Sequence, residues 1–571
     1  MIFNTEQMKS SEINNILFML PPFWDPLIPP QGIAHIKNYL KKYNYNVKTY
    51  DFNIYKNFRD IYTRYFNTLK KYVPLEKRGN FFNIGHDVLR NHMLINFINN
   101  QDDEYYIFLK DIIYKTFYVQ LGIEILKEVD DIINSFYSIF EKELNKIFYQ
   151  NKFQMVGVSV MRDNIAPSLF ALRYIKKIDP AVITVMGGSI FSDQLLIGTP
   201  NLDYFLKNTP YLDKVFVGEG QILLHKFLSG ELDNEKKLFT LDDINREALA
   251  YSDLNFPDMD DFDVKHNYMY LAMNASNSCP YKCSFCNVAN FFGDYREKDP
   301  GMAAAQMMSL YQIYGIRIFF MNDSLLNNVA DNLSTELQKN NTPLYWDGYM
   351  RVADNVCDQR NTIHWRKGGL YRARLGVESG SNRVLKLMGK KISIEQTKES
   401  LKSLANAGIK TTTYWVIGHP GETEEDFQLT LKLLEESKTY IYEAECNPFI
   451  FSYSGQSDSE NWHNDRKILY THVPQERIII QDWTNNTYPL REETYERVNR
   501  FVQRCNDLEI PNPYSYFDIY NADNRWKLLH RNSVPSLVDI YDGNIDLLES
   551  RKVEIINKIS KINIETNDFD F

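Results

Sequence analysis

The stretch Ser276-Asn277-Ser278-Cys279-Pro280-Tyr281-Lys282-Cys283-Ser284-Phe285-Cys286 holds three of the chain's six cysteines in the spacing C-x3-C-x2-C. A tight loop of this kind can turn three thiolates onto one inorganic centre, so the surrounding fold has to present it from the end of a regular element. Thiolate is a soft ligand that selects iron–sulfur clusters, zinc or copper(I). A structural zinc site needs a fourth protein ligand, and no His or Cys stands at finger-like spacing on either side. Three cysteines on a cubane cluster would leave one iron open. Cysteines with no ligand role are the remaining reading.

The rest of the chain narrows the setting. Its 571 residues are too many for one ordinary core and suggest two or three domains. Hydrophobic residues at 44% and charged residues at 24% are ordinary globular values. A net charge of −10 argues against a phosphate backbone as the main partner, so no nucleic acid is expected. No apolar run reaches bilayer-spanning length and the first residues lack the order of a signal peptide, so no membrane is expected either. Three thiols crowded in one loop fit a reducing cytoplasm.

The spacing predicts an α/β protein. Asn15 to Leu20 and Val47 to Phe52 read as strands flanking a helix from Gly32 to Leu40, the start of a parallel unit. From about 55 to 150 the aromatic-rich helical spacing, as in Ile112, Ile113, Phe117 and Leu121, predicts a helical insertion whose rings pack as core. Strands resume at Met155 to Val160, at Val182 to Met186 running into Gly187-Gly188-Ser189, and at Lys214 to Val217 running into Gly218-Glu219-Gly220. Glycines directly after strands let a ligand approach the backbone at the carboxyl edge of a sheet.

A second series begins after the linker Leu254 to Met259. Tyr268 to Ala272 precedes the cysteine loop. Ile316 to Phe320 runs into Met321-Asn322-Asp323-Ser324, and Leu344 to Met350 into Arg351. Arg372 to Gly376 runs into Val377-Glu378-Ser379-Gly380, Thr412 to Ile417 into Gly418-His419-Pro420-Gly421-Glu422-Thr423, and Tyr442 to Glu445 into Cys446-Asn447. Six strands, each ending in polar or glycine residues, predict an open partial (β/α)6 barrel with its chemistry on the carboxyl face. Thr423-Glu424-Glu425-Asp426 reads as a capping box and Gly408 as a helix stop. The expected organisation is an α/β domain over 1–250, a partial barrel over 251–450 and a mainly helical extension over 451–571.

Cys279-x3-Cys283-Ser284-Phe285-Cys286, with an aromatic before the third cysteine, resembles the signature of radical S-adenosylmethionine (radical SAM) enzymes. The resemblance implies a [4Fe-4S] cluster on Cys279, Cys283 and Cys286 whose open iron chelates SAM. One electron from an external donor of flavodoxin or ferredoxin type then cleaves SAM to methionine and a 5'-deoxyadenosyl radical that abstracts a substrate hydrogen. Gly376-Val377-Glu378-Ser379 resembles the fourth-strand motif that contacts the ribose and methionine parts of SAM, and Gly418-x-x-Gly421 the fifth-strand motif near the adenine. The resemblance also places Phe285 in this cofactor environment. Asn322, Asp323 and Arg351 are candidates for the SAM ammonium and carboxylate; an Asp–Arg pair closing the barrel mouth is the alternative.

The N-terminal part resembles the doubly wound, Rossmann-type cobalamin-binding domain that precedes many radical SAM cores, with Gly187, Gly188, Ser189, Gly218 and Glu219 as candidate contacts. It departs from that pattern in lacking D-x-H-x-x-G. The loop from Pro21 to Gln31 has no His, and His35 reads as a packing or surface residue. The resemblance implies cobalamin bound without a histidine ligand, or a domain without cobalamin. Phe23 and Trp24 could cover the corrin or simply pack.

The function this implies is a cobalamin-dependent C-methyltransferase acting on a peptide or a secondary-metabolite precursor. A radical cyclisation, oxidation or rearrangement without methyl transfer is the alternative. Methylthiotransferases need three further cysteines before the cluster loop, and none precedes Cys279. Cys357, Cys446 and Cys505 are too scattered for an auxiliary cluster. An electron carrier would explain the cysteines but not the later strand ends. His419 stands where the resembled motif has an apolar residue before Pro-Gly-Glu-Thr; it could touch substrate but is expected as an exposed loop residue. Tyr414 and Trp415 point to opposite faces of their strand, while Glu443 and Glu445 share one and could bind a cationic substrate or bridge to a helix.

Overall fold

Asn15–Leu20 forms β1, buried at every position but its first. A continuous apolar run of this kind suits a strand covered on both faces of a parallel sheet. β2 (Asn46–Asp51) and β3 (Met155–Ser159) flank it in parallel, and β4 (Ile183–Gly187), β5 (Lys214–Val217) and β6 (Leu238–Thr240) follow. The order β2-β1-β3-β4-β5-β6 is the doubly wound pattern whose direction reverses between β1 and β3. The helix Gln31–Lys41 crosses from β1 to β2 with Ile33, Ala34 and Leu40 buried.

This computed structural model describes residues 12–23, 28–99, 104–192, 194–247, 256–268, 270–289, 294–451, 466–471, 479–480, 482–512 and 516–531. Between β2 and β3 run the helices Lys56–Tyr72, Phe81–Asn99, Tyr105–Phe117 and Ile123–Gln150. Their aromatics pack on one another: Phe58 lies 5.6 Å from Phe136 and 5.7 Å from Phe140 between ring centroids. A polar knot is buried among them, in which Asp130 accepts from Tyr105, His92 and Asn96. No helix among the described residues is long and apolar enough to cross a membrane.

The second series of strands forms its own six-stranded parallel sheet. β7 (Leu271–Met273) leads into a small antiparallel pair, β8 (Ser276–Asn277) with β9 (Arg296–Glu297). Then come β10 (Ile318–Met321), β11 (Tyr345–Arg351), β12 (Leu370–Glu378), β13 (Lys410–Ile417) and β14 (Glu443–Pro448). The sheet order is β14-β13-β12-β11-β10-β7, every pair parallel. Capping boxes at Ser393 with Gln396 and at Thr423 with Asp426 start the helices Ile394–Asn406 and Glu424–Ser437.

The chain divides into two units. One comprises Met1–Met269, Phe451–Ser454 and Glu460–Asn485; the other comprises Tyr270–Ile450, Gly455–Ser459 and Asn486–Phe571. The described residues of the 451–571 stretch, expected as one extension, fall in both units. In the first unit a hairpin of Arg466–Ile468 with Trp483–Asn485 is tied in by Asp482, which meets Arg90 and Arg162 and accepts from Asn91 at 3.2 Å. In the second, the helix Arg491–Asp507 buries Val498, Phe501 and Cys505, with Phe501 5.5 Å from Trp415 of β13 between ring centroids.

Candidate active site

The cysteine loop leaves β7 and is pinned at its base by the residue two beyond β10. Asp323, 1% exposed, accepts from the Ala275 amide at 3.1 Å, from the Ser276 amide and from the Ser276 hydroxyl at 2.5 Å. Burial pushes its carboxyl up to about 6 against the pull of those donors. Asn322 lies on the same strand end with an exposed side chain, its amide bonded to Met273 O at 2.8 Å. Further on, the Ser284 amide bonds Met388 O at 2.9 Å and the Cys286 amide bonds Cys283 O at 3.1 Å, so the loop is held at both ends.

Cys283 is buried, and Cys279 and Cys286 are partly exposed. Arg351, at the end of β11, directs Nη1 to Cys283 Sγ at 3.5 Å, and its guanidinium carbon lies 4.1 Å from the centroid of the Tyr281 ring. Its Nη2 is buried without a partner. No ion pair joins Asp323 to Arg351 among the described residues, and each instead serves the cysteine loop from its own strand end. Burial raises the thiols of Cys279 and Cys286, as does the charge of their fellow cysteines. Lys390 pulls both down, and Arg351 also pulls down Cys279. Lys390 Nζ lies 5.8 Å from the centroid of the Phe285 ring. Among the described residues no three His, Cys, Asp or Glu side chains already converge at metal-holding distance. The donor chemistry nonetheless fits an anionic, thiolate-bound cluster: three thiols on one loop, with two cations beside them.

At the end of β12 the register shifts between Gly376 and Glu378, and Glu378 adopts a left-handed φ of 66°. Its carboxylate is paired with Lys390, both side chains almost fully buried. Ser379 is fully buried, its hydroxyl 3.3 Å from that of Thr430. At the end of β13, Gly418 (φ 79°) and Gly421 (φ 89°) shape the turn. A Cβ on Gly418 would lie 2.2 Å from Thr494 Oγ1, so this position takes no side chain. The Gly418 amide bonds Glu422 Oε1 at 3.1 Å.

His419, expected in solvent, is 1% exposed. Burial drops its pKa to about 4, so the ring is neutral at pH 7. With Nδ1 2.9 Å from Pro420 O and donating there, Nε2 accepts from the Ser284 hydroxyl at 3.0 Å. This departure from an apolar residue therefore ties the fifth-strand turn to the cysteine loop. Sequence reasoning also missed Arg497. This fully buried arginine of the C-terminal helix contacts Glu422, and nothing in its local pattern distinguishes it from a surface arginine.

Register places Arg351, Gly376, Tyr414 and Glu445 in one row across β11 to β14. Tyr414 bonds Arg374 at 3.1 Å on this face, while Trp415 packs away from it. Asp347 clamps Arg372 at 2.7 Å and Arg374 at 3.0 Å. Glu443 accepts from Thr412 at 2.8 Å and lies 3.7 Å from Arg372, so it is engaged within the sheet rather than with a helix. Burial and the charge of Glu443 push Glu445 up to about 7.

In the first unit, Gly188 has φ 117°, and a Cβ there would stand 2.3 Å from Val160 O. A Cβ on Gly218 would meet Leu241 at 2.8 Å, and one on Gly187 would meet Phe216 O at 3.3 Å. The sheet's own packing thus demands these glycines. Gly188, Ser189 and Gly218 are also exposed, leaving an uncovered backbone edge that fits a ligand laid on the carboxyl ends of the strands. Glu219 precedes the helix Gly220–Leu228 at its N-cap position. Phe23 is 8% exposed and packs on Tyr62 and Phe136, so it is a core residue. Trp24 lies outside the described residues. His35 is half-buried on the first helix.

Residues 273–434 match the Radical SAM superfamily model, and a domain of that superfamily implies a [4Fe-4S] cluster and SAM. Particular relatives refine the comparison. The anaerobic magnesium-protoporphyrin IX monomethyl ester cyclase of Rubrivivax gelatinosus is 25% identical over 49% of this chain and 54% of its own. An uncharacterized methyltransferase of Pyrococcus horikoshii is 23% identical over 52% of this chain and 66% of its own. The chain thus spans about half to two thirds of the curated relatives it matches. Its fold follows the radical SAM methyltransferase TsrM of Kitasatospora setae. With tryptophan substrate and a SAM analog bound, that structure superposes with a TM-score of 0.58 at 12% identity, covering 94% of this chain and 99% of TsrM. With cobalamin and a [4Fe-4S] cluster bound, the TM-score is 0.51 at 13% identity, covering 80% and 78%.

Proposed function

We propose that this chain is a cobalamin-dependent radical SAM enzyme that methylates carbon in a small-molecule or peptide substrate. The observation that carries the reading is the cysteine loop. It is anchored by Asp323, faced by Arg351 and Lys390, and set on the strand ends of a parallel sheet in a chain that also holds a doubly wound domain. Cluster, SAM and cobalamin, when bound, supply one-electron cleavage of SAM to a radical that takes hydrogen from an unactivated carbon, and a methyl carrier.

Cys279, Cys283 and Cys286 would hold the cluster. The free N–H of Arg351 suits a carboxylate, and the exposed amide of Asn322 can accept from or donate to the polar end of SAM. Glu378, kept in place by Lys390, and the turn Gly418 to Gly421 present the ribose and adenine contacts. Gly187, Gly188, Ser189, Gly218 and Glu219 would line the corrin edge, with no histidine from the loop after β1. Tyr414, Arg374 and Glu445 offer a polar wall for the substrate. A flavodoxin- or ferredoxin-type protein would deliver the electron.

The test is anaerobic reconstitution with iron, sulfide and hydroxocobalamin, followed by SAM and dithionite. Formation of 5'-deoxyadenosine well above a Cys283→Ala control is expected, with S-adenosylhomocysteine appearing beside it once a substrate turns over. Failure to exceed that control overturns the enzyme reading. Substrate consumption without S-adenosylhomocysteine replaces methylation with cyclisation, oxidation or rearrangement, a second reading favoured by the similarity to the cyclase.

A further inference from the structure

The family match ends at residue 434, and the helix Arg491–Asp507 lies beyond it. That helix carries the cation that organises the turn after β13. Arg497 is fully buried, and its Nη1 donates to Glu422 O at 3.1 Å and to Glu422 Oε1 at 2.9 Å. The same Oε1 accepts the Gly418 amide, so one arginine, acting through Glu422, holds the first residue of the turn and the residue that follows it. Its Nη2 donates to the Tyr488 hydroxyl at 2.8 Å and to Glu493 at 2.9 Å. Tyr488 in turn accepts the Gly421 amide on its carbonyl at 2.7 Å. Thr494, one helical turn before Arg497, fills the space a side chain on Gly418 would need.

A buried guanidinium is costly without partners, so this arrangement favours the turn conformation that supplies Glu422 and Tyr488 to Nη1 and Nη2, while Nε lies 3.5 Å from Glu424 Oε2. We infer that Arg497 is a positioning residue for SAM: through Glu422, Tyr488 and Thr494 it fixes the Gly418–Gly421 turn in the shape that receives the cofactor. Because His419 in that turn bonds Ser284, between Cys283 and Cys286, the same lock also reaches the cysteine loop. The inference rests on the proposed reading that this turn binds SAM.

The experiment uses full-length, iron-reconstituted enzyme and measures SAM Kd by equilibrium dialysis, iron content, melting temperature and 5'-deoxyadenosine formation at limiting and saturating SAM. Arg497→Lys and Glu422→Gln are expected to keep their iron and raise Kd and KM for SAM by about tenfold, with kcat at saturating SAM changed far less. Arg504→Met on the same helix, which breaks a largely exposed pair with Glu435, serves as the structural control and should leave SAM affinity unchanged. An iron-replete Arg497→Lys or Glu422→Gln protein with a SAM Kd within about twofold of wild type overturns the inference, as does an equal loss in Arg504→Met. Wild-type enzyme that holds a cluster yet binds no SAM overturns the underlying function instead.

Discussion

Arg351 holds its Nη1 3.5 Å from the sulfur of Cys283, across 68 residues of sequence. A cation that hydrogen-bonds a cluster sulfur stabilises the more negative, reduced state. Arg351→Met is therefore expected to move the cluster's reduction potential to more negative values, with Arg351→Lys between the two. A redox titration followed by EPR reads this directly, and an unchanged potential in the Met variant would remove Arg351 from the cluster's surroundings.

Asp323 satisfies two backbone amides and a hydroxyl at the root of the cysteine loop. Asp323→Ala strands those buried donors, at a cost of about 2–4 kcal/mol. Urea unfolding of the apoprotein should show that loss, and iron retained after reconstitution should fall with it. Asp323→Asn, which keeps an acceptor, should lose less.

Lys390 is the buried partner of Glu378, their side chains 8% and 7% exposed. Removing one member of such a pair leaves an uncompensated charge, so Lys390→Met should destabilise by about 3–5 kcal/mol. The double variant Lys390→Met with Glu378→Gln should recover much of that in a double-mutant cycle, while still binding SAM poorly.

Glu445, pushed up to about 7 by burial and by Glu443, binds its proton more tightly folded than unfolded. Its contribution is greatest below the ordinary carboxylate range and is lost as pH rises toward 7. Wild-type stability should therefore decline from about pH 4.5 to 7 by on the order of 2 kcal/mol from this group. Glu445→Gln should flatten that part of the profile and be the more stable protein at pH 8. A profile unchanged by the substitution would place the titration elsewhere.

Gly188→Ala tests the first sheet. A methyl 2.3 Å from a backbone carbonyl, at a left-handed φ, forces β3 and β4 apart. The variant should melt below wild type even without any corrinoid present, which separates the glycine's packing role from ligand contact.

Much of the architecture is legible in the sequence. β1 was evident because an unbroken apolar run between turn residues has few other solutions, and the helix after Thr423 because its cap residues satisfy their own amides. Period-two alternation separated Tyr414 from Trp415. Other features were hidden for a common reason. His419 looked like a turn residue in solvent, yet Phe449 and Ser284 close around it. The 451–571 stretch looked like one extension, yet Asp482 and Phe501 pack in different units.

Local chemistry, then, was the sequence's own to determine: three thiols at C-x3-C-x2-C, polar residues and glycines closing successive strands, and caps that start helices depend on neighbours a few positions apart. Tertiary structure alone decided which of those groups are satisfied by distant partners. Asp323 turned to Ser276, Arg351 to Cys283 and Arg497 to Glu422, because burying a charge is tolerable only where packing brings its counterpart within hydrogen-bond reach. That pairing is set by strand order and helix docking, over separations no local pattern encodes.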